Sequence, residues 1–190
     1  MNNIWTQILN EIKRISPDIY ETVNKPAKIR EIMEFDGMLP CNLPQSFVDF
    51  LLVCNGQSEK GIGSPLIGYK RLLPINEIIK VRENLGFLFG NEEPIEHITE
   101  NKTKPVIWDN LWIPFAEYNG TDRLFLDLNP GKNGQYGQVI TDYPGIDRES
   151  DEIVVAITFE NFSEELLRRL TNNEFEIENN TIQFDDYWTV

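Results

Sequence analysis

Ile4, Ile8, Ile12 and Ile15, flanked by Trp5 and Leu9, recur at the spacing of one helical face, and Ser16-Pro17 ends the pattern. A second helix is predicted from about Pro26 to Asp36-Gly37, with Ile29, Ile32 and Met33 on its apolar side. A third starts at Pro44, where a missing N–H costs nothing in the first turn. It buries Phe47, Phe50, Leu51 and Cys54 and meets a left-handed stop at Asn55-Gly56. Gln57 to Gly68 reads as a loop, Tyr69 to Leu73 as a strand, and Ile75 to Phe89 as a helix weakened by Gly86 and Gly90. The polar, proline-punctuated stretch 91–105 is expected to form an exposed insertion.

Beyond it the apolar runs shorten and are broken by Pro, Gly and Asn, which predicts strands at Val106–Trp108, Trp112–Tyr118, Arg123–Asp127, Gln138–Asp142 and Ile153–Ile157. Thr158 is placed to cap a last helix that turns Phe162, Leu166, Leu167 and Leu170 inward. Glu174 to Glu178 alternates strictly, turns at Asn179-Asn180 and returns as Thr181 to Phe184, a hairpin pattern. Helices precede strands, so the class is α+β rather than alternating α/β. The expected organisation is a single domain over 1–190. Its helices occupy about 3–56, its sheet and last helix about 66–173, and the hairpin about 174–184.

Two motif groups stand out: Leu43-Pro44-x-x-Phe47-x-x-Phe50-Leu51-x-x-x-Asn55-Gly56, and the run from Trp112-Ile113-Pro114-Phe115-Ala116 through Gly120-Thr121-Asp122 and Leu124–Pro130 to Gly137-Gln138-Val139-Ile140. In this order and spacing, between about Ile29 and Leu170, the chain resembles the SUKH superfamily. That family includes the yeast Smi/Knr regulators of glucan synthesis and cell-wall assembly and many bacterial toxin-immunity proteins. The resemblance implies a central, mostly antiparallel sheet of about five or six strands with helices packed against it. It also implies a non-catalytic protein-binding role.

Composition agrees with a folded chain that is long enough for a real core, being 190 residues with 41% hydrophobic and 11% aromatic side chains. The net charge of −14 is lopsided. Residues 1–90 carry ten basic and ten acidic side chains, whereas 91–190 carry seven basic and twenty-one acidic ones. Such a chain is repelled by nucleic-acid phosphates and anionic lipid, and its field favours a basic partner. No apolar run reaches the roughly 20 residues that a bilayer span requires. The opening residues lack a secretory signal, and two separated cysteines, Cys41 and Cys54, make no disulfide framework. A cytoplasmic location is expected.

Candidate chemistry is sparse. His97 is the only histidine, so no zinc set of about four N or S ligands can be assembled. The stretch from Gly131 to Gly137 is not followed by a helix and reads as a strand connection with glycines for positive-φ turns rather than a phosphate cradle. Asp122 and Asp127 flank one strand, which leaves a carboxylate-pair hydrolase as a remote alternative. Trp112 is assigned to the core, while Trp108 and Trp188 are less constrained, and an exposed Trp188 beside Asp185 and Asp186 is one possible anchor for a basic partner.

The reading is therefore a protein without catalytic residues, metal or cofactor. Its leading function is immunity against a basic toxin domain such as a nuclease, with a regulatory scaffold in cell-wall synthesis as the alternative. The partner-binding residues are expected among exposed positions of the later strands: Glu117, Tyr118, Asp122, Asp127, Asp142 and Tyr143.

Overall fold

The computed structural model describes residues 3–90, 93–96, 98–142 and 153–184. Its helices are α1 (Ile4–Ile15), α2 (Pro17–Tyr20), α3 (Ile29–Asp36), α4 (Gln45–Leu51), α5 (Ile75–Phe89) and α6 (Phe159–Asn172), with a 3-10 turn at Glu59–Gly63. Strands β1 (Arg71–Leu72), β2 (Trp112–Tyr118), β3 (Asp122–Asp127), β4 (Gln138–Thr141) and β5 (Val154–Ala156) form one antiparallel sheet in chain order. A separate hairpin pairs β6 (Glu176–Glu178) with β7 (Thr181–Gln183). The class is α+β, as the clustering of helical and strand periodicities predicts.

Both faces of the sheet are buried, which is why its strands read as nearly continuous apolar runs. Ile113, Phe115, Leu124, Leu126 and Val139 belong to the main core, with α1, α4 and α6. There the rings of Phe47, Phe50, Phe115, Phe159 and Phe162 pack with Trp5 at centroid distances of 4.5–6.2 Å. Tilted and edge-on pairs of this kind add attraction beyond the area they bury. Trp5 also donates its indole N–H to Ser163 Oγ at 3.0 Å, so the largest ring in the cluster leaves no donor stranded. The opposite face, with Trp112, Phe125 and Ile140, is covered by Leu85 of α5, Val106, Trp108 and Ile153.

Pro114 sits inside a central strand, where its missing N–H would break a ladder. The register shifts between Pro114 and Ala116, which makes Phe115 a bulge residue. Phe115 still serves the sheet edge, since its carbonyl accepts Leu73 N–H at 2.8 Å while its ring enters the main core.

The helical half is tied to the sheet by Gln57, which is wholly buried. Its Nε2 donates to Thr22 Oγ1 (2.6 Å) and to the Ser64 carbonyl (2.9 Å), and its Oε1 accepts from Leu66 N and Leu72 N (both 3.1 Å). Its own N–H donates to the Leu72 carbonyl at 2.9 Å, and its carbonyl accepts from Arg71 Nη1 at 3.1 Å.

Several local expectations shift for physical reasons. Helix α4 ends at Leu51, well short of Gly56, and Gly56 (φ 65°) is required because a Cβ there would collide with the Leu73–Pro74 backbone. In α3, Ile32 and Phe35 are buried while Ile29 and Met33 are 68% exposed, because the short helix begins only at Ile29 and rests on one narrow stripe. Val106–Trp108 forms a single bridge, Pro94 with Val106, rather than a strand. The described part of 91–105 is partly docked. The Lys102 and Asn101 carbonyls accept from Gly131 N and Asn133 N at 3.0 and 3.1 Å, and Thr103 is buried. This contact explains the glycines of the β3–β4 connection. A Cβ at Gly131 or Gly134 would strike the backbone of 101–103, and of these only Gly137 has positive φ (78°). The hairpin turn does need left-handed residues: Asn179 and Asn180 have φ 48° and 59°. His97, Tyr143 and Trp188 lie outside the described residues.

Replacing Gln57 by Leu should leave two donors and two acceptors unpaired in the core and cost about 3 kcal/mol or more. Phe159→Ala should cost about 3–5 kcal/mol by opening a cavity in the aromatic cluster. Both are read in urea unfolding as a lower midpoint at unchanged slope.

Candidate binding site

The candidate residues of β2 and β3 fall at two ends of the sheet with different roles. At one end, Glu117 and Arg123 face each other across β2 and β3, and Asp142 lies just beyond β4. Arg123 is held at 3.6 Å by Glu117 and at 3.2 Å by Asp142, and it also donates to the Gly120 carbonyl. Asp142 Oδ1 accepts Arg123 N–H at 2.5 Å. Glu117 is half-buried, and the Asp142 side chain is 32% exposed. Tyr118, 43% exposed, lies against Tyr69 with ring centroids 5.6 Å apart.

Asp122 does not meet the expectation of exposure. It is buried and paired with Lys70 Nζ at 3.0 Å, and Lys70 is fully enclosed. A buried lysine demands such a counter-charge, so Asp122 is drawn inward to satisfy it. Burial lowers the Lys70 pKa and raises that of Asp122, and their mutual attraction opposes both shifts.

Asp127 departs further still, with no exposed surface at all. At the other end of β3 it accepts from Asn129 N (2.9 Å) and Gln138 Nε2 (2.8 Å). Gln138 Nε2 also donates to the Lys102 carbonyl at 2.9 Å, and Asn129 Nδ2 donates to Asp109 Oδ2 at 2.7 Å. Asp127 thus fastens the 101–111 segment to the β3–β4 connection. It has no path to a partner or substrate, and with Asp122 engaged by Lys70 the two flanking carboxylates do not make a catalytic pair.

Two cavities adjoin the β2–β3 turn, where Asn119 and Gly120 adopt positive φ and Thr121 N–H returns to the Tyr118 carbonyl at 3.1 Å. One, of about 250 Å³, is lined by Ile62, Tyr69, Arg71, Glu117, Tyr118 and the turn. The other, of about 300 Å³, lies under the end of α5 between Leu85, Leu88, Phe89, Trp108, Trp112 and Phe125, with Arg123 and Asp142 on its wall. Phe87, Leu88 and Phe89 are 90%, 66% and 41% exposed. The helix predicted over 75–89, weakened by its glycines, carried no expectation of this patch. The available signal was the unbroken apolar triplet, since three consecutive positions cannot all face the interior of one helix.

Among the described residues no three His, Cys, Asp or Glu side chains gather as a metal site, and no helix is long and apolar enough to cross a membrane. Cys54 is buried with its thiol pushed up to about 12 by desolvation.

The fold is a helix-backed antiparallel sheet with aromatic and carboxylate side chains at one open end. Residues 26–165 match the SMI1/KNR4 family (SUKH-1), and the chain belongs to that family. It is 30% identical to a KNR4/SMI1 homolog 1 of Debaryomyces hansenii over 83 residues, 42% of this chain and 18% of that one. It is 22% identical to a glucan synthesis regulatory protein of Neurospora crassa over 174 residues, 72% of this chain and 32% of that protein. A KNR4/SMI1 homolog 2 of Debaryomyces hansenii is 22% identical over 95% of this chain and 37% of its own length. The chain therefore spans between about a fifth and two fifths of these relatives.

Desolvation raises Asp127 from 3.8 to about 6, against the opposing pull of its hydrogen bonds. Between those values the folded protein keeps a proton that the unfolded chain has shed. Raising the pH through that window therefore removes stability, on the order of 3 kcal/mol, and the loss is complete above about pH 7. Carboxyl NMR should show Asp127 titrating near pH 6, and a midpoint in the ordinary aspartate range would refute this.

Proposed function

We propose that the chain is a regulatory binding module in cell-wall or glucan synthesis that engages a cationic partner protein. The observation that carries this is the similarity, over 72% of the chain, to a protein named for glucan synthesis regulation. The charge supports the kind of partner: twenty-one of the acidic side chains lie in 91–190, and their field steers a basic surface toward the later strands. Of the candidate contacts, Glu117, Tyr118 and Asp142 combine partial exposure with a position at the open end of the sheet. Asp122 supports that end from inside, paired with Lys70.

The same charge favours a second reading, immunity against a basic toxin domain such as a nuclease, whose cleft must itself attract phosphate. The two readings share a mode of action, occupation of a cationic surface without chemistry, and differ in the partner.

Deleting the gene separates them. Regulation predicts heightened sensitivity to a wall-digesting glucanase in isolated culture, restored by the intact gene. A normal wall together with killing by a sibling strain's toxin would replace regulation by immunity.

A further inference from the structure

The cavity of about 300 Å³ under α5 is built mainly from apolar side chains, with Thr121, Arg123, Thr141 and Asp142 as its polar part. Leu85, Trp108, Trp112, Phe125, Ile140 and Ile153 line it, each at most 6% exposed. Leu88 and Ile107 flank its mouth at 66% and 40% exposure. Its volume stands at the lower bound of ligand clefts, which run from roughly 300 to 1,000 Å³. That room suits a single ring or branched aliphatic group better than an extended cofactor.

Its charge is biased. Among the described lining residues Arg123 is the one cation, and it is already held by Glu117, Asp142 and the Gly120 carbonyl. Two carboxylates around one guanidinium leave a negative excess. Glu93, an exposed acidic residue, is bonded through its backbone carbonyl to Ile107 N–H at 3.0 Å, next in the fold to a residue of the mouth. An apolar socket rimmed by surplus negative charge is complementary to an apolar side chain flanked by cations.

We propose that this cavity is the anchor socket for a basic segment of a partner protein, taking one aromatic or leucine-sized side chain while neighbouring Lys or Arg residues meet Asp142, Glu117 and Glu93. The proposal rests on the binding-module reading and gives that module a contact surface. A lipid occupant is disfavoured by the net charge of −14, which repels anionic headgroups.

The test is NMR titration of the isotope-labelled full chain with the peptide Lys-Lys-Phe-Lys-Lys, beside Lys-Lys-Ala-Lys-Lys and Glu-Glu-Phe-Glu-Glu. The indole N–H signals of Trp108 and Trp112 should move with the first peptide only, and the shift should shrink as salt rises from about 50 mM to about 500 mM. Leu88→Lys places a cation at the exposed mouth and should weaken binding about tenfold, while Leu88→Met should retain it. Spectra of both variants with unperturbed core signals establish that each is folded. Equal binding of the alanine peptide, no binding, shifts centred elsewhere, or a dimer of the chain that covers the cavity would each overturn the socket. Shifts centred elsewhere would leave the binding-module reading standing. A normal wall after gene deletion would remove the regulatory role without touching the socket.

Discussion

A single side-chain amide holds the two halves of this protein together. Gln57 presents two donors and two acceptors, and all four positions are filled by groups from the turn after α2, the 58–66 loop and the edge strand β1. Burying an amide is favourable only when every one of its hydrogen-bonding positions is matched. That condition fixes the loop path to within a bond length, and with it the placement of β1 beside β2. Gly56, one residue earlier, allows the close backbone approach to Leu73 and Pro74 that brings Gln57 into place. The aromatic cluster supplies more stabilisation in total, but rings tolerate small slips and a saturated amide does not.

From that anchoring follows the arrangement of the open end of the sheet. Lys70 and Arg71 precede Leu72, so fixing β1 fixes both cations. Lys70 reaches Asp122, and Arg71 bridges the Gln57 carbonyl and Glu77. One cation is enclosed and the other nearly so, which draws carboxylates inward and leaves Glu117, Tyr118 and Asp142 as the groups facing outward. The ionic interior of this end organises a surface.

Much of the architecture was legible from the chain. Helical spacing located α1 and α5 within a residue or two, Thr158 marked the start of α6, and strict alternation located the hairpin. Pairing partners, and what each carboxylate does, were much less legible. Asp122, Asp127 and Asp142 look alike in sequence, but one neutralises a buried lysine, one knots two loops together and one clasps an arginine at the surface. Those differences arise from residues 18 to 52 positions away (Asp109, Lys102, Lys70), and local pattern carries no information at that range. The glycines of the β3–β4 connection mislead for the same reason. Two of them answer to a distant backbone rather than to their own torsions. The Asn119-Gly120 turn was readable in principle, as the pair most suited to a tight hairpin.

The hairpin at the end of the described chain has one strand, β6, that among the described residues pairs on one side only and is exposed throughout. An open strand edge is a template for cross-pairing between molecules and for amyloid-like stacking. Glu176 and Glu178 flank Ile177 along it, so two copies approaching edge to edge would align like charges at close range. The acidity of this region thus has a colloidal consequence, protecting concentrated protein from self-templated aggregation while the glutamates remain ionised.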